Sequence, residues 1–481
     1  LARVRVVPLV LALAGLVAAG SAAAFLIRQN RDVTTTSEEA RRLYHEGVEN
    51  DLKMYEREAM SSYAGALRFD PHFVMATLRL ADKMRARDPE RAKSLLASAA
   101  RERDTLTARE QLRLAIYEER WGKRDLKKLE ALFDEYVRRF PDDPEGYQMR
   151  AGFLATVGRT SEAIAEYERL IKVNPNYAIA YNTLGYYWAS KGETAKAEDY
   201  LKRYRFLASD QANPYDSLGE LYAFTGRYDE AEESLRKAIA IKDDFFAAWG
   251  HLGTVEAGRG HPLKAAEYFG KAAEKTTNLI GQYDFRFLAT MCLVDAGRTD
   301  EAVKTAAAAT AEIAAMPPGP EARKLKAVDD IRRAALLGRI GRTAEAQAVL
   351  AAADVSQLVD PKEPDSQTML DRQTKLIKGV IAMGAGHDGE AVPLLRDALE
   401  HPADKGLGTT DYYPPQYFAR LALAGSLGRL GRADEAAEVL APILQKNPRF
   451  APAVEMLARV RGEKPAASSA AASARRSRGA S

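Results

Sequence analysis

Glycine and alanine recur through the middle of the chain every 34 residues, and this constrains the fold more than any other feature. Gly185, Gly219 and Gly253 form one series, Gly158, Gly192, Gly226 and Gly260 a second, and Ala163, Ala197, Ala231 and Ala265 a third. A chain of 481 residues with such a period need not divide into separate globular cores, because a repeat array lengthens by stacking one unit on the next.

One unit, 178–211, shows what is repeated. Tyr181, Leu184, Gly185 and Trp188 fall at i, i+3, i+4 and i+7, one stripe of an amphipathic helix. Lys191-Gly192-Glu193 breaks that stripe, and glycine tolerates the positive φ of a tight helix–helix turn. A second helix then presents Ala197, Leu201 and Tyr204. The spacing predicts that Gly185 and Ala197 mark the crossing of the two helices, where small residues let the backbones approach.

These residues resemble the tetratricopeptide repeat, a 34-residue helix–turn–helix with Leu-Gly, Ala, aromatic and Pro marks at fixed offsets. "YDSLGELYAFTGRYDEAEESLRKAIAIKDD" (215–244) and "WGHLGTVEAGRGHPLKAAEYFGKAAEK" (249–275) carry the pattern, and four units starting near Pro144, Ala178, Ala212 and Phe246 share one register. The resemblance implies an all-α fold, a right-handed superhelical solenoid of helix pairs. Weaker copies extend it to about eleven units. Residues 40–73, 74–106 and 110–143 precede the regular copies, the last lacking the Gly and Ala marks. Gly297/Ala302, Gly341/Ala346, Gly386/Ala391 and Gly431/Ala436 mark units near 283–316, 327–358, 372–402 and 417–450.

The organisation expected is therefore a basic flank at 1–5, an apolar helix at 6–27 and a linker at 28–39. Repeats follow over 40–316 with the best copies at 144–279, then a Pro-rich linker at 317–326 and degenerate repeats over 327–450. A capping helix at 451–462 and a low-complexity, disordered tail at 463–481 complete it. "PKEP" (361–364) and the proline-containing stretch 401–418 read as inter-repeat loops.

Composition and motifs supply no chemistry. A net charge of +3 over this length makes no case for nucleic acid. The single cysteine, Cys292, excludes an intrachain disulfide and reads as a small packed side chain. The histidines at 45, 72, 251, 261, 387 and 401 show no metal-ligand spacing and read as scattered core or surface residues. "GAGHDG" (384–389) matches a dinucleotide fingerprint in form but follows a helix and coincides with a repeat turn, where no βαβ unit could form. Neither a phosphate-binding loop nor a nucleophile elbow is present. No catalytic residue, metal, cofactor or small-molecule substrate is expected, and the chain does not read as an enzyme.

What remains is binding. In the repeat family, positions 2, 5, 9, 12 and 13 of each unit face a concave groove. Here the resemblance assigns them to Ile179, Asn182, Tyr186, Ala189 and Ser190, then to Asn213, Asp216, Glu220, Ala223 and Phe224. The next unit contributes Ala247, Gly250, Thr254, Ala257 and Gly258. Asn182, Tyr186, Asp216, Glu220 and Phe224 are the candidate contacts for a protein or peptide partner, with packing between repeats the alternative for Tyr186 and Phe224. The subclass that clamps chaperone C-termini uses a basic set that this stretch lacks.

The N-terminus reads as a membrane anchor. Val6 to Ile27 runs uncharged for 22 residues, long enough to span a bilayer, with a cleaved signal peptide as the competing reading. A span followed by a Ser/Thr-rich hinge and repeats also resembles the sensor region of bacterial Ser/Thr kinases or transcriptional regulators, over about residues 1–260. That resemblance implies a single-pass protein of the bacterial cytoplasmic membrane with its repeats outside, or a periplasmic or secreted one after cleavage. The positive-inside count, Arg28, Arg31, Arg41 and Arg42 against Arg3 and Arg5, favours the opposite orientation. Two functions are thus expected of the sequence: a membrane-anchored scaffold or adaptor, and, because residue 1 is Leu, the sensor half of a larger signalling protein.

Overall fold

In the computed structural model, residues 33–85, 88–359, 366–400 and 415–463 are described. They form twenty-three α-helices and, among the described residues, no strand. The helices alternate as antiparallel pairs and divide between two compact units, Leu1–Ala180 and Tyr181–Ser481.

The earlier unit contains α1 (Glu38–Leu52), α2 (Glu56–Phe69), α3 (Val74–Met84), α4 (Pro89–Arg101), α5 (Ala108–Trp121), α6 (Leu126–Arg139), α7 (Pro144–Thr156) and α8 (Thr160–Val173). Next come α9 (Ala178–Ser190), α10 (Thr194–Leu207), α11 (Asn213–Phe224), α12 (Tyr228–Ile241), α13 (Phe246–Gly258) and α14 (Pro262–Lys275). The less regular pairs are α15 (Leu279–Asp295) with α16 (Thr299–Ala314), and α17 (Pro320–Arg339) with α18 (Thr343–Ala352). Then follow α19 (Ser366–Gly384) with α20 (Asp388–Glu400), α21 (Pro415–Arg429) with α22 (Ala433–Lys446), and, last among the described residues, α23 (Ala451–Val460).

The hairpin is built around a close approach at glycine. A Cβ at Gly185 would lie 2.6 Å from the Leu201 side chain and 3.4 Å from the Ala197 carbonyl oxygen. Gly219 faces Leu235 and Gly253 faces Phe269 in the same way, and Gly47 with Tyr63 and Gly379 with Leu395 repeat it. Ala163, Ala197, Ala231 and Ala265 are fully buried. The turn after each first helix needs the left-handed region: φ is +81° at Gly192 and +75° at Gly226. Where the earlier unit lacks glycine at this turn, Met54 (φ 62°) and Arg124 (φ 53°) hold the same region, which is why the copy at 110–143 has no glycine mark there.

A charged device starts many of the second helices. Gly-Arg-x-x-Glu occurs at 158–162, 226–230, 297–301, 341–345 and 431–435, and in each copy the arginine pairs with the glutamate three residues on. The arginine stands at the N-cap without a side-chain capping bond, and the glutamate sits in the first turn, where the helix dipole favours an anion. Arg159 and Arg227 also reach back to the preceding pair, to Glu130 at 2.5 Å and Glu198 at 2.7 Å, tying neighbours together.

Two expected boundaries change. Residues 33–37, within the expected linker at 28–39, are held to the repeats: Val33 is buried, and Thr34 donates from N (2.7 Å) and Oγ1 (2.6 Å) to the buried Glu110 carboxylate. Ser37 then caps α1 by accepting from Ala40 N, so the helix starts at Glu38. The expected linker at 317–326 is shortened to three residues, because Pro320 takes the first position of α17, where its fixed φ suits a helix.

The expected apolar helix at Val6–Ile27 lies outside the described residues, as do "PKEP", most of 401–418 and the tail from 464. Among the described residues no helix is long and apolar enough to cross a membrane. The longest, α17, has 20 residues but carries charge along its length (PEARKLKAVDDIRRAALLGR). On this finding the expected placement as a single-pass membrane protein is not carried forward.

Candidate functional site: the first-helix face of α9, α11 and α13

Tyr186 on α9, Asp216 and Glu220 on α11, and His251 on α13 form one hydrogen-bonded network across three successive first helices. Asp216 and Glu220 lie one turn apart and so project from the same side of α11. The Tyr186 hydroxyl donates to Glu220 Oε2 at 2.5 Å. His251 Nδ1 lies 2.7 Å from Asp216 Oδ1, and its Nε2 is 3.4 Å from Glu220 Oε1. Asp216, Glu220 and His251 are each no more than 3% exposed.

Burial alone would push the His251 imidazole down, but the two carboxylates outweigh it and raise its pKa to about 10. The ring is then a cation that compensates one of two buried anions. Asp216 titrates above its ordinary value because burial outweighs the attraction of His251. Burial, and then the Glu220 charge, raise the Tyr186 hydroxyl well above its own, so it remains a donor.

The five candidate residues therefore separate. Asp216 and Glu220 are spent on His251 and Tyr186, and Asn182 is buried with its Oδ1 unbonded. Tyr186 and Phe224 are half-buried. Of the wider groove set, Asn213 is turned inward and donates to the Tyr204 hydroxyl at 3.0 Å, while Ala223, Gly250, Ala257 and Gly258 are buried and Ser190 is exposed. The sequence reading missed His251. It occupies the sixth position of its unit, one residue from a groove position, and the signal was its place one repeat after the Asp216/Glu220 pair.

A comparable network occupies the earlier unit. Arg113 on α5 pairs with Asp143 at 2.9 Å and Glu145 at 2.7 Å, and its Nε donates to the Tyr136 hydroxyl, which donates to Asp143. Arg79 on α3 also reaches Glu145. Arg109, on the same helix as Arg113, lies 3.8 Å from Asp143, so three cations face two anions. No residue in it was singled out from sequence, because charges on a helix face look alike whether buried or solvated.

The remaining sequence features are quiet. Cys292 is a free, buried thiol whose pKa burial pushes up to about 12. "GAGHDG" spans the end of α19 and the turn into α20, with Gly386 at φ +77°. Among the described residues no three His, Cys, Asp or Glu side chains are grouped to hold a metal.

Residues 154–216 and 212–245 match two family models, both described as tetratricopeptide repeat. The chain carries tetratricopeptide repeats. Such repeats serve as protein–protein interaction scaffolds. Among solved structures, MamA is similar at 28% identity over 33% of this chain and 87% of that one, with a TM-score of 0.29. PilW, titled a widely conserved type IV pilus biogenesis factor, is 17% identical over 44% of this chain and 96% of that one, with a TM-score of 0.38. MamA from Desulfovibrio magneticus RS-1 is 22% identical over 35% and 94%, with a TM-score of 0.30. No curated protein matches the chain. Both family matches are to the repeat, so the resemblance to kinase or regulator sensors gains nothing from them.

Proposed function

We propose that the chain is an interaction scaffold that holds a protein or peptide partner on the first-helix face of α9, α11 and α13. Tyr186 carries the reading. It is half-buried, and its hydroxyl is fixed by a carboxylate that is itself almost inaccessible. A ring positioned before a ligand arrives loses little conformational freedom on binding, and tyrosine supplies much contact area for few rotatable bonds. Phe224, half-buried on the next first helix, offers a second ring. Asp216, Glu220 and His251 act beneath this surface, positioning Tyr186 while remaining out of a partner's reach. Asn182 belongs to the same buried floor.

The test is a peptide-display selection on the full chain, with the selected peptides measured by calorimetry. Tyr186→Ala/Phe224→Ala is expected to weaken them about tenfold or more, roughly 1.4 kcal/mol, at unchanged helix content. Tyr186→Phe keeps the ring and loses the hydroxyl bond, so it is expected to fall between parent and double variant. Peptides that bind all three proteins equally would remove this face from the proposal.

A further inference from the structure

Asn447 closes the later unit on itself. It follows α22 in the sequence Asn447-Pro448-Arg449-Phe450, and the same pattern, Asn174-Pro175-Asn176-Tyr177, follows α8. At the earlier copy the side chain makes a local turn, Asn174 Oδ1 accepting from Asn176 N at 3.1 Å. Asn447 is used differently. Its Nδ2 donates to the Ala223 carbonyl at 3.2 Å and to the Tyr228 hydroxyl at 3.0 Å, more than two hundred residues back in the chain.

The surroundings fit that contact. Asn447 and Tyr228 are 3% and 1% exposed. A Cβ at Gly226 would stand 2.5 Å from Asn447 Oδ1, so the turn glycine that ends α11 also makes room for the asparagine. One repeat along, a Cβ at Gly260 would lie 3.1 Å from the Ala451 Cβ of α23. The Arg449 guanidinium lies over the Tyr228 ring, 5.5 Å from its centroid, with Nη1 4.0 Å from Asp229. Nearest-neighbour stacking explains none of this, because repeats far apart in order meet only where a superhelix comes round to itself.

We propose that Asn447 is a latch closing one superhelical turn of residues 181–481, seating the loop after α22 and the start of α23 on the turn edges of α11–α12 and α13–α14. The closed turn spans six hairpins, α11–α12 to α21–α22. The contacts that hold it are one buried amide, one tyrosine, one arginine and the approach of Gly260 to Ala451. Closure through these few contacts opens without unfolding the hairpins.

The experiment uses the full chain with Cys292→Ala. Spin labels are placed at Glu233→Cys and Glu455→Cys, both exposed positions. Electron–electron resonance is expected to give a single narrow distance in the parent. Asn447→Ala or Arg449→Glu should broaden and lengthen it at unchanged helical circular dichroism. Amide exchange should rise about tenfold in 221–229 and 447–455 together. Asn174→Ala, which removes only a local turn, should change neither reading. Should Asn447→Ala lose helix, Arg449→Glu decides, since its side chain is half exposed. A broad distance in the parent, or variants that keep both helix content and the parental distance, would overturn the latch.

Discussion

His251 carries its charge because Asp216 and Glu220 surround it from the neighbouring first helix. Its pKa is raised to about 10 from an ordinary value of 6.5. The stabilisation from protonating it is therefore complete below pH 6.5 and is lost as pH rises through 10. Asp216, also raised, adds a contribution of the same sign at acid pH. His251→Gln leaves two buried carboxylates without a cation, and breaking such a pair costs about 3–5 kcal/mol. Urea melts from pH 6 to 10 should show the variant less stable at pH 6, with the gap shrinking toward pH 10. A gap independent of pH would mean that the imidazole is neutral in the fold. At this scale the sequence was half legible. A family position pattern picked out Tyr186, Asp216 and Glu220, but it assigns groove-facing slots and cannot report which slots are covered by the next helix. His251 sits in a slot the pattern ignores, and its place one repeat after the carboxylate pair is the one mark of it in the sequence.

A second helix is begun by charge as much as by a capping side chain. Arg227 pairs with Glu230 in its own first turn and with Glu198 from the previous second helix. Partial burial opposes ionisation of Glu198, yet hydrogen bonds from Arg227, Lys202 and Tyr222 hold its pKa down at about 2. A lowered carboxylate stabilises above its unfolded pKa of 4.5 and loses that contribution as pH falls through 2. Because Arg227 and Glu198 keep some contact with water, the pair is worth about 1 kcal/mol at most after screening. Glu198→Gln should therefore lower the melting temperature modestly at pH 7, less in high salt, and negligibly near pH 2; an equal loss at all three conditions would make the effect one of packing. Helices and turns were the most legible level, since Gly192 and Gly226 punctuate an apolar period. Turns escaped where Arg124 and Met54 adopt the left-handed region without being glycine. The start of α17 escaped because a proline that breaks a helix interior also begins one.

In the later unit α23 packs on the pair before it and follows a segment that makes a distant contact. Phe450 and Ala453 are buried among Leu423, Leu427, Leu440 and Ile443, and Val460 lies against Gly428. The repeat period leads to the expectation of a capping helix at 451–462, because a last apolar face requires cover, and α23 packs on α21 and α22. Its second role was not legible: a contact between Asn447 and Tyr228 has no period, and the asparagine reads as an ordinary turn residue. Deleting 447–481, which removes Asn447 and Arg449 together with α23, should separate the two roles. Loss of cover exposes the face of α21 and α22, so amide exchange is expected to rise there first and to decline toward α19. The cluster from Val33 to Tyr117 is built entirely from residues of the earlier unit, so exchange in α1–α5 should not change. Local cover and closure predict different behaviour at 221–229, where no residue of the α21–α22 core lies. Faster exchange there in the deletion reports the missing closure, and native exchange there while α21 and α22 fray would assign α23 to capping alone.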